Sequence, residues 1–261
     1  MEKAIHSDFL IHWSGKDIEK SPDNKDDQYL ERLRSILKYG LWMTEDESPE
    51  VLNINDNLFT KPLTPRTCFS ELKLSESDEH AKEYGRLGIG VKRYFLFDRL
   101  GSPLFYIQEG TKNLFFPPFQ SANGHVHDFF KHMCIKTPKD YKYYNESEWR
   151  IVYSEEIKEE LIKNNLNEIN NLFDSPFDQE EKERFEFFSG LKPKKAPSYL
   201  MPLDPWLAII IYPNLNVKNK ALTDKEIRGL LDVISQRKTR TGCPERGCKP
   251  IELDLAACRN F

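Results

Sequence analysis

Two carboxylates one residue apart open the run Glu146-Ser147-Glu148-Trp149-Arg150-Ile151-Val152-Tyr153. In an extended strand, alternation puts Glu146, Glu148 and Arg150 on one face and Trp149, Ile151 and Tyr153 on the other. Two acids aimed into one space are costly to bury without partners, so they lie on a wet surface or face a polar cleft where their charge does chemistry. On this segment alone the surface reading leads.

Three other clusters have chemistry-bearing residue types, and each has a plainer reading. His125, His127 and His132, with Cys134 beside them, invite a metal. Yet the HDFFKHMC stretch reads as helical, and His125 and His127 share a face only in a strand, so the three do not converge. Cys243, Cys248 and Cys258 look like half a zinc knuckle, but the spacing is too wide and no histidine follows, which favours a tail of unpaired surface thiols. No metal is expected. Gly85, Gly88 and Gly90 in YGRLGIGV imitate a phosphate loop, but without the dinucleotide spacing or a following helix they read as a helix cap and a close backbone contact. His12 ends an apolar strand, where a lone histidine is usually structural.

The elements that position these residues follow from periodicity. Asp8 to Trp13 reads as a strand ended by Ser14-Gly15, then a polar loop over 16–28. Tyr29 to Tyr39 places Leu30, Leu33, Ile36 and Leu37 on one helical face, with Gly40 as the cap and Leu41 to Met43 as a new strand. Residues 44–65 read as one long loop, and Thr67 to Ser70 as a short buried strand. Ser75 caps a polar helix ending at Tyr84. Leu104 to Ile107 is a strand, 155–190 are charged and helical, and 192–205 form a proline-rich connector. Trp206 to Tyr212 is the most apolar strand, buried on both faces. Thr223 caps a last helix with Ile227, Leu230, Leu231 and Ile234 inward. Residues 241–261 read as a loosely packed, dispensable tail. The interspersed helices and strands predict a single α+β domain over 1–261 with a mixed sheet.

Composition excludes some classes. Hydrophobic residues make up 39% and charged residues 31%, which fits a globular chain rather than a membrane-embedded one. No apolar run is long enough to span a bilayer, and the N-terminus lacks a signal-peptide pattern, so a cytoplasmic location without membrane contact is expected. Net charge is −4, so no global field attracts nucleic acid, although a local basic surface stays open. Five cysteines, an odd number, favour thiols over a disulfide framework.

Three blocks resemble the ADP-ribosyltransferase fold of the histidine-tyrosine-glutamate class, and occur in that family's order. They are His12-Trp13-Ser14-Gly15 with RSILKYGLW, then Cys68-Phe69-Ser70-Glu71 with a helix ending at Tyr84-Gly85, then Ser147-Glu148-Trp149-Arg150-Ile151-Val152-Tyr153. Over more of its length the chain is similar to the AbiGi family of abortive-infection phage-defence proteins, through CFSELKLSESDEHAKEYGRLGIG, PLFYI, YYNESEWRIV and IIIYP. That family is labelled as an antitoxin.

The transferase resemblance implies an α+β fold with a mixed or antiparallel sheet core and flanking helices. It implies NAD as substrate and a toxin or effector role in anti-phage defence. Glu148 would hold the ribose 2′-hydroxyl and stabilise the oxocarbenium-like state, with Glu146 orienting the acceptor or acting as its base. His12 would bind the adenosine ribose, Ser14 the nicotinamide amide, and Tyr84 would stack on the nicotinamide ring. Arg150 would pair with an acid or the cofactor phosphates. These roles need the side chains to face one cleft. The position nearest the family's first nicotinamide-contacting tyrosine holds Cys68 or Phe69, and His12 stands where the arginine-specific class begins with arginine. The acceptor implied is nucleic acid, RNA or DNA, ahead of protein, and a neutralising antitoxin or other defence-system protein is the implied partner. The AbiGi resemblance implies the alternative, a non-catalytic antitoxin that binds a partner toxin.

Overall fold

The computed structural model describes residues 9–21, 24–46, 48–49, 51–54, 57–61, 63–71, 73–108, 124–133, 147–163, 172–191, 196–239 and 249–260. The first apolar run forms β1 (Phe9–Ser14), and Gly15 turns the chain out of it at φ +98°, where a Cβ would collide with the Tyr29 ring. Residues 16–28, expected as a loop, hold the single-turn α1 (Lys16–Glu19) and the first turn of α2 (Lys25–Tyr39). Leu30, Leu33, Ile36 and Leu37 of α2 are buried, as their spacing requires. Gly40 ends α2, and β2 (Leu41–Met43) follows. The expected loop over 44–65 contains an antiparallel hairpin, β3 (Val51–Ile54) and β4 (Asn57–Thr60). After β5 (Arg66–Ser70), Ser75 lies within a 3-10 turn, Leu74–Glu76, and so does not cap α3 (Ser77–Tyr84). Then come β6 (Leu87–Lys92), α4 (Arg93–Phe97), β7 (Ser102–Pro103) and β8 (Phe105–Gln108).

The stretch expected to be helical around HDFFKHMC is instead a 3-10 turn, Gly124–Phe129, leading into β9 (Phe130–Met133). Parallel pairing with β8 overrides its local helical spacing. β10 (Glu148–Val152) is followed by α5 (Glu155–Lys163) and α6 (Lys182–Ser189), the two helices among the described residues of the charged region. β11 (Tyr199–Met201) precedes β12 (Leu207–Tyr212), where Ile209, Ile210, Ile211 and Tyr212 are fully buried, as expected for a strand covered on both faces. Thr223 is the last residue of α7 (Leu215–Thr223), not a cap. The cap of α8 (Lys225–Gln236) is Asp224, whose Oδ1 accepts from the backbone N of Glu226 at 2.9 Å and Ile227 at 3.0 Å. The chain ends with β13 (Ile251–Asp254) and α9 (Leu255–Cys258).

The fold is α+β, and the chain divides into two compact units. Residues 1–41, 69–99 and 201–261 form the first. Its sheet is mixed: β12 runs parallel to β13 and antiparallel to β6, and β6 pairs antiparallel with β1. One face presents Ile11, Trp13, Ile209 and Ile211, and against it pack Ala81 of α3 and Leu255 and Cys258 of α9. Gly88 and Gly90 make room for that layer, since a Cβ on Gly90 would sit 2.0 Å from Ile209 Cγ2. On the other face Tyr212 and Arg228 of α8 both bond Glu252 of β13. The C-terminal stretch therefore departs from its expected loose packing. Its described part adds a strand to the sheet, and Cys258, expected as a surface thiol, is 1% exposed in the core.

Residues 42–68 and 100–200 form the second unit. There β10 pairs antiparallel with β7, and Tyr153 packs on Phe173 and Tyr199 with ring centroids 4.9 and 3.9 Å away. Buried Arg184 bonds Asp174 at 3.2 Å and Asp178 at 3.1 Å. Among the described residues no helix is long and apolar enough to cross a membrane.

Candidate functional site

The second unit holds a buried charge network around Glu148. The chain enters β10 through Ser147 at φ +40°, a conformation uncommon for a side-chain-bearing residue. Glu148 and Arg150 then share a face, as the period of two requires, and Glu148 Oε1 accepts from Arg150 Nε at 2.8 Å. Oε2 accepts from Lys131 Nζ at 2.9 Å, and the Cys68 thiol of β5 also bonds this carboxylate. Arg150 Nη1 donates to the backbone carbonyl of Asp128 at 2.7 Å. Arg66 bonds Asp128 Oδ1 at 3.1 Å and also Asp46. Glu148 is 7% exposed, Arg150 6% and Asp128 1%.

The electrostatics follow from this packing. Burial opposes ionisation of Glu148, but Arg150 and Lys131 outweigh it and hold the carboxyl down at about 2. Burial also works against the charge on Arg150, yet the anionic surroundings raise its pKa further. Burial and the Glu148 charge push the Cys68 thiol up to about 12, so it stays protonated and unreactive. Among the described residues, Glu148 is ion-paired with both Arg150 and Lys131. Replacing Glu148 with Gln would leave two buried or part-buried cations without their anion.

The first unit holds His12, Ser14 and Tyr84, and does not bring all three together. By alternation His12 and Ser14 share one face of β1, opposite to Ile11 and Trp13. His12 is half-buried with its ring 5.9 Å from Phe69. Ser14 Oγ accepts from Arg32 Nη1 at 3.1 Å, and Arg32 is held by Asp17 at 2.7 Å. Tyr84 packs against the apolar cluster on the Ile11 and Trp13 face, with its ring 6.2 Å from that of His80. Ala81 and Tyr84, three residues apart, lie on the same side of α3, Ala81 buried in that cluster and Tyr84 half-buried against it. Glu146 lies outside the described residues, as do Cys134, Cys243, Cys248 and the side chains of His125 and His132. His127 is buried, and among the described residues no group of histidine, cysteine and carboxylate side chains is placed to hold a metal.

Sequence reasoning missed Lys131, Asp128, Arg66 and Arg32. Arg66 and Cys68 alternate in β5, which was a readable signal; Lys131 reaches Glu148 only because β9 is a strand. Compared with known proteins, the chain matches no family model, no curated protein and no solved structure.

Proposed function

We propose that this chain is a non-catalytic binding protein, of the partner-neutralising kind implied by the resemblance to the AbiGi family, in which Glu148 holds the structure together. The observation that carries this reading is that both Glu148 oxygens are engaged by cations at 2.8 and 2.9 Å. Each oxygen of a carboxylate so neutralised already accepts from a cation, and little net charge is left to offset a developing cation. The position of Tyr84 supports the same conclusion, because its ring is used in packing on the face of β1 away from His12 and Ser14.

The second reading is NAD-dependent ADP-ribosyl transfer to a nucleic-acid acceptor, restrained by a separate antitoxin. One observation favours it: Glu148 is ionised at neutral pH, the state that reaction needs, and Lys131 is part-exposed, with a flexible stem able to release Oε2. In that case Glu148 is the acid, His12 and Ser14 bind NAD, and Arg150 orients Glu148.

Incubating the purified protein with labelled NAD and total RNA, DNA and protein separates the two. A binding protein releases no nicotinamide and transfers no label. Transfer by the wild type that is lost in a folded Glu148→Asp variant, which keeps the charge but withdraws it, establishes the transferase.

A further inference from the structure

β3 and β4 make a sheet of two strands by themselves. Their register pairs Ile54 with Asn57 across only two intervening residues, so that pair closes the hairpin by exchanging both backbone hydrogen bonds. Alternation makes Leu52 and Phe59 the next bonded pair, and it leaves Val51, Asn53, Leu58 and Thr60 with N–H and C=O groups turned away from the opposite strand. Among the described residues no backbone group bonds these outer edges. A ribbon of two strands is marginal in water and gains from a third.

Val51, Leu58 and Thr60 also share one face of the ribbon, because positions directly opposite in the register turn to the same side. On that face Leu58 is 76% exposed, Val51 is 56% exposed, and Thr60 is exposed as well. Val51 and Leu58 are diagonal neighbours across the strands, so they form one apolar patch. The root of the hairpin is fixed in place. Thr44 and Arg66 exchange backbone bonds of 3.2 and 3.1 Å, and the buried Lys61 donates to the Phe130 carbonyl.

Charge decides what can lie against this ribbon. Residues 44–60 contain five acids and no lysine or arginine. Asp46 is held by Arg66, whereas Glu50 directly precedes Val51 and Asp56 falls between the two strands in sequence. Like charges oppose pairing with the same ribbon of a second copy, and they repel phosphate-bearing polymers and anionic membranes. We propose that the β4 edge, which carries the more exposed Leu58, takes up an extended segment of a partner protein in which lysine or arginine alternates with apolar residues. The segment bonds the outward backbone groups of Leu58 and Thr60, its apolar side chains cover Leu58 and Val51, and its cations offset the acids. This inference rests on reading the chain as a binding protein, and it names the chemistry of the partner.

Fluorescence anisotropy with a labelled short peptide alternating valine and lysine tests it, with circular dichroism to confirm that each variant is folded. The wild type should bind this peptide, more weakly as salt rises, and should not bind the counterpart with glutamate in place of lysine. Thr60→Pro removes one outward N–H from an edge strand, where proline is tolerated, and should weaken binding up to roughly ten-fold. Thr60→Val keeps that N–H and should bind like the wild type, while Leu58→Ser should weaken binding by loss of the apolar contact. Absence of binding at low salt overturns the inference, as does binding unchanged in both Thr60→Pro and Leu58→Ser. Equal binding of a peptide alternating glycine and lysine also overturns it, because a surface that only collects cations has no use for the apolar patch. So does a wild-type dimer in sedimentation that Thr60→Pro dissolves, which would give the edge to a second copy. Transfer of label from NAD would end the binding-protein reading without changing the peptide result, and failure of the peptide to bind would leave that reading standing.

Discussion

Glu148 is clasped by two cations, Arg150 at 2.8 Å and Lys131 at 2.9 Å. Its depressed pKa is itself a statement about stability. A shift from 4.5 to about 2 corresponds to roughly 3 kcal/mol in favour of the folded chain at neutral pH. Because the folded pKa is lowered, that contribution is complete above the unfolded value and is lost as pH falls through the folded one. Acid titration of stability should therefore show a decline between about pH 4.5 and 2 that is absent in Glu148→Gln. At neutral pH, urea unfolding of Glu148→Gln should show a loss of about 3–5 kcal/mol, the range for breaking one side of a buried pair. The alternation that pairs Glu148 with Arg150 was legible in the sequence, since it needs only a strand. Lys131 and Asp128 were not, because they come from a segment whose helical spacing conceals a strand.

At the scale of elements, the C-terminal strand and helix show what local pattern misses. Ile251–Asp254 has four residues and no clear alternation, and its place is decided by β12, about forty residues earlier in the chain. Leu255 and Cys258, 2% and 1% exposed, then complete the cluster around Trp13. Truncation after residue 248 should expose that face and leave the first unit unfolded or aggregated, as read by circular dichroism and thermal melting. Leu255→Ala should cost about 2–5 kcal/mol in denaturant unfolding. Gly90→Ala should cost about 1–3 kcal/mol, because the new Cβ meets Ile209 in a packed layer that cannot give way cheaply. β1, α2, β12 and α8 were readable because each has a strong period of its own. The hairpin at 51–60 and α7 lay in stretches without a strong apolar period and were overlooked.

At the scale of the whole molecule, three stretches of chain build one compact unit and two build the other, and no change of composition marks the boundaries. One boundary falls within β5, which is why length and composition point to a single domain. The three motif blocks keep their order along the chain, yet order alone does not tell which side chains remain available for chemistry. Tyr84 packs half-buried against the cluster around Trp13, and both Glu148 oxygens accept from cations. A double-mutant cycle on Glu148 and Arg150, followed by urea unfolding, tests the structural role of that acid most directly. A structural pair predicts that Glu148→Leu and Arg150→Met are each strongly destabilising, while the double variant recovers most of the loss, since Lys131 can turn to water. A Glu148 substitution that leaves stability within about half a kcal/mol of wild type, uncoupled from Arg150, while abolishing NAD-dependent label transfer would contradict this and mark Glu148 as a catalytic acid.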